Sequence, residues 1–421
     1  MDNYMKLWQL LQSKGLTESN LLKEADINKV AILKMTKKER GSLDILQKIC
    51  KCLNCSLEDI VEIEKEENVF EGELFKSTVS CQQVSTPQAT FNSIDLFAGI
   101  GGIRLGFERA FGSIISTNFV SEWDLHAQKT YRENFQDTFQ IAGDITQIKE
   151  EDIPAFDICL AGFPCQAFSL AGQRKGFEDN FKGKCRGTLF LDVARICQYH
   201  KPKVIFCENV KGLLIHDKGN TFKIIKETFE DLGYKVFYKV LNSKDFGVPQ
   251  NRERVYIVAF RNDIAPDNFD FPLPTDSSKK LRDIIEEEPV PAKYYLSDVY
   301  LNTLIEHKAR HAAKGHGFGY EIRDWNEVAG AIVCGGMGRE RNLLIDKRQT
   351  NLIPTTHIKG SINTLGIRKM TPREWARLQG FPDSFKLPLA DVHLYKQFGN
   401  SVTVNVIEAI ARKIKEVLFY S

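Results

Sequence analysis

From Phe91 onward, short apolar runs alternate with stretches whose apolar residues recur at helical spacing. "FNSIDLFA" (91–98) and "IISTNFVSEW" (114–123) predict strands, and "GIRLGFERAF" (102–111) and "LHAQKTYRENF" (125–135) predict amphipathic helices. The alternation continues through strand "FDICLAG" (156–162), helix "LFLDVARICQYH" (189–200), strand "KVIFCEN" (203–209) and helix "TFKIIKETFEDLG" (221–233). Strands "YKVFYKVLN" (234–242) and "RVYIVAF" (254–260) close the series. Such alternation predicts an open, mostly parallel α/β sheet. From about 271 to 370 the periodicity gives way to irregular, Pro- and Gly-rich sequence, and "VTVNVIEAIARKIKEVLF" (402–419) returns to an amphipathic helix. Residues 1–65 have a helical pattern of their own. A polar stretch, 66–90, ends in the linker-like "STVSCQQVSTPQAT" (77–90).

Composition changes this picture little. The 421 residues are 43% hydrophobic and 27% charged, with a net charge of +2, so any surface for a polyanion must be local. No apolar run is long enough for a membrane span, and residues 1–14 lack the apolar core of a secretory signal. Ten cysteines at irregular spacing are then expected as reduced thiols in a cytoplasmic protein. Cys50, Cys52 and Cys55 contain one C-x-x-C with no second pair or histidine nearby, which favours core packing, and no metal site is expected.

Chemistry gathers at the predicted strand ends. "IDLFAGIGG" (94–102) enters a Gly-rich turn before a helix, where Gly99 and Gly101 would let backbone approach a ligand. The spacing is not that of a dinucleotide fingerprint, and a phosphate-free cofactor fits equally well. In "SEWD" (121–124), Glu122 could accept from ribose hydroxyls and Trp123 could stack on a purine. Asp144 of "GDIT" (143–146) could accept from an exocyclic amine. Together these favour a nucleoside-bearing cofactor over three separate helix caps. Cys165, in "AGFPCQAFS" (161–169), directly follows a predicted strand, where backbone donors would favour a thiolate. Glu208 ends the neighbouring strand, and Arg252 and Arg254 precede another. A thiol, a carboxyl and guanidinium groups at one sheet edge suit a planar heterocycle. The carboxyl can bond a ring nitrogen, an arginine a carbonyl oxygen, and the thiolate can attack an activated ring carbon.

The ordered set "DLFAGIGG", "SEWD", "GDIT", "GFPCQAFS", "GTLF" (187–190), "ENV" (208–210), "QNRER" (250–254), "TPREWARLQGFPDSF" (371–385) and "QFGNSV" (397–402) resembles bacterial cytosine-5 DNA methyltransferases of the restriction–modification kind. The resemblance runs from about Phe91 to the C-terminus, outside the irregular region. It implies an S-adenosylmethionine-dependent, Rossmann-like methyltransferase sheet. Its catalytic domain would be 91–270, with a smaller target-recognition domain at 271–370 and a hinge and C-terminal catalytic part at 371–421. It also implies S-adenosyl-L-methionine as methyl donor and a flipped-out cytosine of double-stranded DNA as acceptor. Cys165 would add to C6, Glu208 protonate N3 and Arg254 hold O2, with Arg252 in the same catalytic set. Phe97, Glu122, Trp123, Asp144, Ile145, Pro164, Leu189, Asn400 and Val402 match donor-site positions. "AFSLAGQRKGFEDNFKGKCRG" (167–187) resembles the loop that closes over the flipped base, with a longer tip.

In the irregular region, "HGFGYEIRDW" (316–325) and "CGGMGRERNLLIDKR" (334–348) combine glycines, aromatics and the DNA-contact candidates Arg339, Arg341, Lys347 and Arg348. Residues 16–63 resemble a helix-turn-helix of the Cro/repressor type. Thr17 caps one helix, "ADIN" (25–28) makes the turn, and Asn28 caps the next, which with Lys29 would enter the major groove. Asp26 stands where such turns often have glycine, and it tolerates the left-handed conformation. The expected protein is a DNA methyltransferase that acts as a monomer, with its own promoter DNA as a second partner. A tRNA cytosine-5 methyltransferase and a regulator with a silent enzymatic body are the alternatives.

Overall fold

The computed structural model describes residues 91–164, 189–334, 338–349 and 360–420, with 2–3, 7, 11, 14, 43–53, 55 and 62–63 nearer the N-terminus. The chain divides into two units, Met1–Gln83 and Val84–Ser421. In the first, β1 (Asp2–Asn3) pairs antiparallel with β2 (Glu62–Ile63), a contact too short for the helical pattern of 1–65 to announce. Helix α1 (Leu43–Leu53) buries Ile49 and Leu53, and Leu7 and Leu11 are also buried. Lys14 donates to the Leu53 carbonyl at 2.9 Å, satisfying an orphan acceptor of the last helical turn. Thr17, Asp26, Asn28, Lys29 and the 66–90 linker lie outside the described residues.

In the second unit, six strands form one sheet in the order β4 (Ile115–Ser121), β3 (Phe91–Leu96), β5 (Ile158–Ala161), β6 (Val204–Val210), β9 (Glu253–Arg261), β7 (Tyr234–Asn242). β3 is parallel to β4 and β5, and β5 to β6, whereas β9 is antiparallel to both β6 and β7. The sheet is therefore mostly parallel, as expected, with one reversed strand inserted between two that run alike. Its central strands read as continuous apolar runs because both faces are covered. Helices α4 (Leu189–His200) and α5 (Asn220–Asp231) pack Phe190, Val193, Ile225 and Phe229 on one face, against Cys159, Ile205 and Ile257. On the other, α2 (Gly102–Phe111) packs Phe107 and the C-terminal helix α9 (Val404–Tyr420) packs Ile407 and Ile410 against Ile158, Leu160 and Phe206. At Gly106 the two helices nearly touch: a Cβ there would sit 2.5 Å from that of Ile407. Helix α3 (Leu125–Asn134) follows β4.

The region 271–370 holds more regular structure than its sequence suggests. Helix α6 (Asp298–Ala312) starts at Ser297, whose hydroxyl accepts from the Tyr300 amide. It buries only Leu301 and Leu304, too narrow a stripe to register as periodicity. Beside it, β10 (Ile322–Arg323), β12 (Leu343–Ile345) and β13 (Ile367–Arg368) form a small sheet over a core of Leu296, Leu301, Leu304, Leu343 and Ile367. A separate pair, β8 (Gln250–Asn251) and β11 (Ala329–Gly330), runs parallel. Leu281, Ala329, Ile332 and Leu344 share a third core with Tyr131 of α3, with Trp375 of α7 (Pro372–Leu378) and with Phe398 of α8 (Asp391–Asn400).

Candidate active site

The carboxyl ends of β3, β4, β5 and β6 line one side of a cleft of about 1800 Å³. At its first wall the chain leaves β3 through Phe97 and Gly99, both with φ of +56°. A left-handed Phe is strained, and such strain is kept where a side chain has to be aimed. Gly99 has open space where a Cβ would stand, so the turn leaves room above its backbone. Gly101 behaves differently from its expected ligand role. It caps α2 with φ of +83°, and a Cβ there would lie 2.3 Å from the Phe135 ring, so this glycine serves the packing of α3.

Glu122 is buried at the end of β4 and accepts from the Gly99 amide at 2.8 Å and the Asp124 amide at 2.7 Å. Burial pushes its carboxyl above the usual range, against these two amide bonds. Its first contribution is thus to hold the β3 turn. Trp123, beside it, is 69% exposed, with its indole at the cleft wall. Asp144 is exposed and accepts from the backbone amide and hydroxyl of Thr146. Ile145, Leu189, Asn400 and Val402 complete this half of the lining. Arg195 of α4 braces the segment by donating to the Ile145 carbonyl at 2.7 Å and pairing with Glu150 at 2.8 Å, a support the sequence reading missed.

Under the same turn, Asp95 is fully buried, one oxygen touching the Tyr131 hydroxyl at 3.3 Å and the other without a partner. Burial raises its carboxyl to about 7. Its folded pKa lies above the unfolded value, so its contribution to stability is complete below about pH 4 and is lost as pH rises through 7. Asp95→Asn, which cannot titrate, should remove this loss. We expect wild-type stability to fall relative to Asp95→Asn by roughly 2 kcal/mol between pH 5 and 7 in denaturant titrations. Parallel stability curves for the two proteins would rule out a titrating Asp95.

At the opposite wall, β5 ends at Ala161 and the chain passes through Gly162, Phe163 and Pro164 along the cleft. Asn209 of β6, another residue the sequence reading did not single out, donates to the Phe163 carbonyl at 2.9 Å and so holds this exit. Cys165 itself lies outside the described residues. Glu208, next to Asn209, is buried, and Arg254 Nε stands 3.2 Å from its Oε1. Burial raises the Glu208 carboxyl pKa, partly offset by Arg254 and Arg252. A proton-carrying acid beside a guanidinium can donate to a ring nitrogen while the cation holds an adjacent oxygen.

Arg252 departs from the catalytic role expected of it. Its guanidinium is 2% exposed in a web of main-chain bonds, donating to the carbonyls of Ile332 and Ser401 at 2.6 Å each. Arg348 departs similarly from DNA contact: it pairs with Asp346, donates to the carbonyls of Glu286 and Glu287, and lies 5.1 Å over Trp325. Arg339 is half-buried over the Tyr395 ring, while Arg341 and Lys347 are exposed. Among the described residues, no helix is long and apolar enough to cross a membrane.

Comparison with known proteins agrees with this geometry. The C-5 cytosine-specific DNA methylase model matches residues 91–416, and the Cro/C1-type HTH DNA-binding domain model matches 6–66. Type II methyltransferase M.HpaII of Haemophilus parainfluenzae is 57% identical over 332 residues, covering 78% of this chain and 90% of its own. Type II methyltransferase M.SsoII of Shigella sonnei is 46% identical over 331 residues, covering 78% and 81%. Among solved structures, the S. pombe Dnmt2 methyltransferase superposes with a TM-score of 0.60 at 20% identity, covering 78% of this chain and 100% of its own, a likeness of fold.

Proposed function

The chain belongs to the C-5 cytosine-specific DNA methylase family and carries a Cro/C1-type helix-turn-helix domain, and from that premise we propose how its residues methylate a cytosine in duplex DNA. It is a DNA cytosine-5 methyltransferase of the Type II restriction–modification kind. The observation that carries the mechanism is the Glu208–Arg254 pair, one strand from the Pro164–Cys165 junction.

The donor half of the cleft suits S-adenosylmethionine. It has an exposed indole for a purine, a carboxylate at the end of β4 and another just past the single bridge of Ala142 to Ser121, and room above Gly99. Phe97, Glu122, Trp123, Asp144, Ile145, Leu189, Asn400 and Val402 would hold it, and when bound it supplies an electrophilic methyl group. A cytosine can reach Cys165 only outside the stack, so the base is flipped, at a cost of a few kcal/mol. The Cys165 thiolate adds to C6 as Glu208 gives its proton to N3, while Arg254 holds O2. C5 thereby becomes nucleophilic enough to take the methyl group. Loss of the C5 proton to solvent water then expels the Cys165 sulfur as thiolate, and the N3 proton returns to Glu208.

Incubation with labelled donor and either duplex DNA or tRNA tests the substrate. Label should enter DNA at C5 of one cytosine within a fixed sequence, mapped by bisulfite sequencing. Label in tRNA alone would overturn the reading. Glu122→Ala should weaken donor binding roughly tenfold or more by calorimetry, since it removes two charge-assisted bonds under the turn, while duplex binding persists. Unchanged donor affinity would take Glu122 out of the site.

The helix-turn-helix domain adds nothing obvious to a reaction whose target another region selects. We infer that it represses transcription from the protein's own promoter. Enzyme engaged on unmethylated sites is less available there, so repression rises as methylation nears completion. Deleting residues 1–75 is expected to leave methylation within about twofold and to abolish repression of a reporter carrying the upstream DNA. A folded deletion protein that no longer methylates would make the domain part of the catalytic machinery.

A further inference from the structure

Three chain segments meet at one buried arginine. Arg252 donates through one terminal nitrogen to the Ile332 carbonyl at 2.6 Å, and through the other to the carbonyls of Ser401 at 2.6 Å and Gly399 at 3.4 Å. Ile332 belongs to the stretch that continues from β11 toward Arg339 and Arg341, in the region assigned to target recognition. Gly399 and Ser401 flank Asn400 on the donor half of the cleft. Arg252 itself is two residues from Arg254, at the point where β9 enters the base-binding edge.

The crossing is tight and doubly tied. Gln250 accepts from the Ile332 amide at 3.0 Å, and its own amide donates to the Leu378 carbonyl at 2.8 Å. A Cβ on Gly399 would stand 2.4 Å from the Cys334 amide nitrogen, so the 333–334 backbone lies directly on α8. Cys334 Sγ meets Asn400 Oδ1 at 2.6 Å. A slide of the 329–334 stretch must therefore break buried bonds to Arg252 and Gln250, or carry the start of β9 with it. Buried carbonyls left without donors are costly, which favours the second course.

We propose that Arg252 is a positioning residue that couples target recognition to catalysis, by linking the 329–334 stretch to the Arg254 and Asn400 walls of the cleft. The proposal rests on the DNA-methylation reading above. When the recognition region seats on the correct sequence, the 329–334 stretch takes up the position in which Arg254 meets Glu208 and Asn400 faces the donor. A wrong sequence that displaces the stretch draws Arg254 and Asn400 away from these positions through the same bonds. Arginine suits the task because its planar fork can satisfy two segments at once, whereas a lysine offers a single point charge on a flexible stem.

The measurement is a ratio of kcat/KM on two duplexes. One carries the mapped methylation site, and the other has a single base pair of that site, away from the target cytosine, exchanged. Arg252→Lys should lower this ratio at least tenfold, with both duplexes assayed at saturating donor. Gln250→Ala, which removes the tie to the Ile332 amide together with the side-chain bonds to Leu378 and Gln379 but leaves the Arg252 fork in place, should lower it in the same direction by about threefold or more. Because misfolded protein reduces both rates alike, a purely structural role leaves the ratio unmoved. Should Arg252→Lys fail to fold, Gln250→Ala decides alone. Ratios equal to that of the wild type, whatever the fall in absolute rate, overturn the coupling. Wild-type turnover on the mapped duplex separately checks the DNA-methylation reading, so the two can fail independently.

Discussion

Cys165→Ala is expected to bind duplex DNA and donor and to show no measurable turnover, a loss on the order of 10⁴-fold or more. Cytosine C5 is a poor nucleophile until C6 carries a covalent substituent, and the proposed substituent is the Cys165 sulfur. The thiols carried by β5 and β6 offer no replacement. Cys159 of β5 and Cys207 of β6 are fully buried, and burial pushes both thiols well above their ordinary pKa, so neither supplies a thiolate. A duplex with 5-fluorocytosine at the target makes the intermediate visible. Fluorine at C5 cannot leave as a proton does, so wild-type protein should become covalently attached in the presence of donor. The alanine variant should not. Near-normal turnover by Cys165→Ala would falsify the nucleophilic mechanism.

Glu208→Gln should lower kcat about 10³-fold while changing the KM for DNA only slightly. Glutamine keeps the shape and can donate a hydrogen bond to N3, but it cannot give up a proton as C6 is attacked. The pH dependence carries the sharper signature. Burial raises the Glu208 pKa, and the acid is active while protonated, so wild-type kcat/KM should decline as pH rises through that raised value. In Glu208→Gln this alkaline decline should vanish. Arg254 opposes the rise through its charge 3.2 Å away, so Arg254→Ala should move the decline to higher pH besides weakening the hold on O2. An identical alkaline limb in wild type and Glu208→Gln would assign it to another group.

The boundaries of α4 at 189–200 and of β7 at 234–242 follow from local periodicity, and the structure has them where the pattern ends. The chemistry was legible for the same local reason. A thiol after Pro164 at a strand end, Glu208 at the next strand end, and carboxylates after β4 announce a lined edge before any packing is known. What stayed hidden depends on which segments meet. Nothing along the chain says that β9 inserts antiparallel between β6 and β7. Yet that reversal is why residues at the start of a strand, Arg252 just before β9 and Arg254 within its first two residues, arrive at the edge where the parallel strands end. The division of labour between those two arginines is likewise tertiary, since the carbonyls of Ile332 and Ser401 that occupy Arg252 lie 80 and 149 residues away. Arg348 looked available for DNA until Asp346 and the carbonyls of Glu286 and Glu287 captured its fork. Gly101 read as a ligand contact because the sequence cannot show Phe135 packed against it. Side-chain chemistry and short-period burial are properties of the chain itself. The availability of a charged group for function is decided by the distant partners that folding brings to it, because a buried donor is held by whatever acceptor satisfies it.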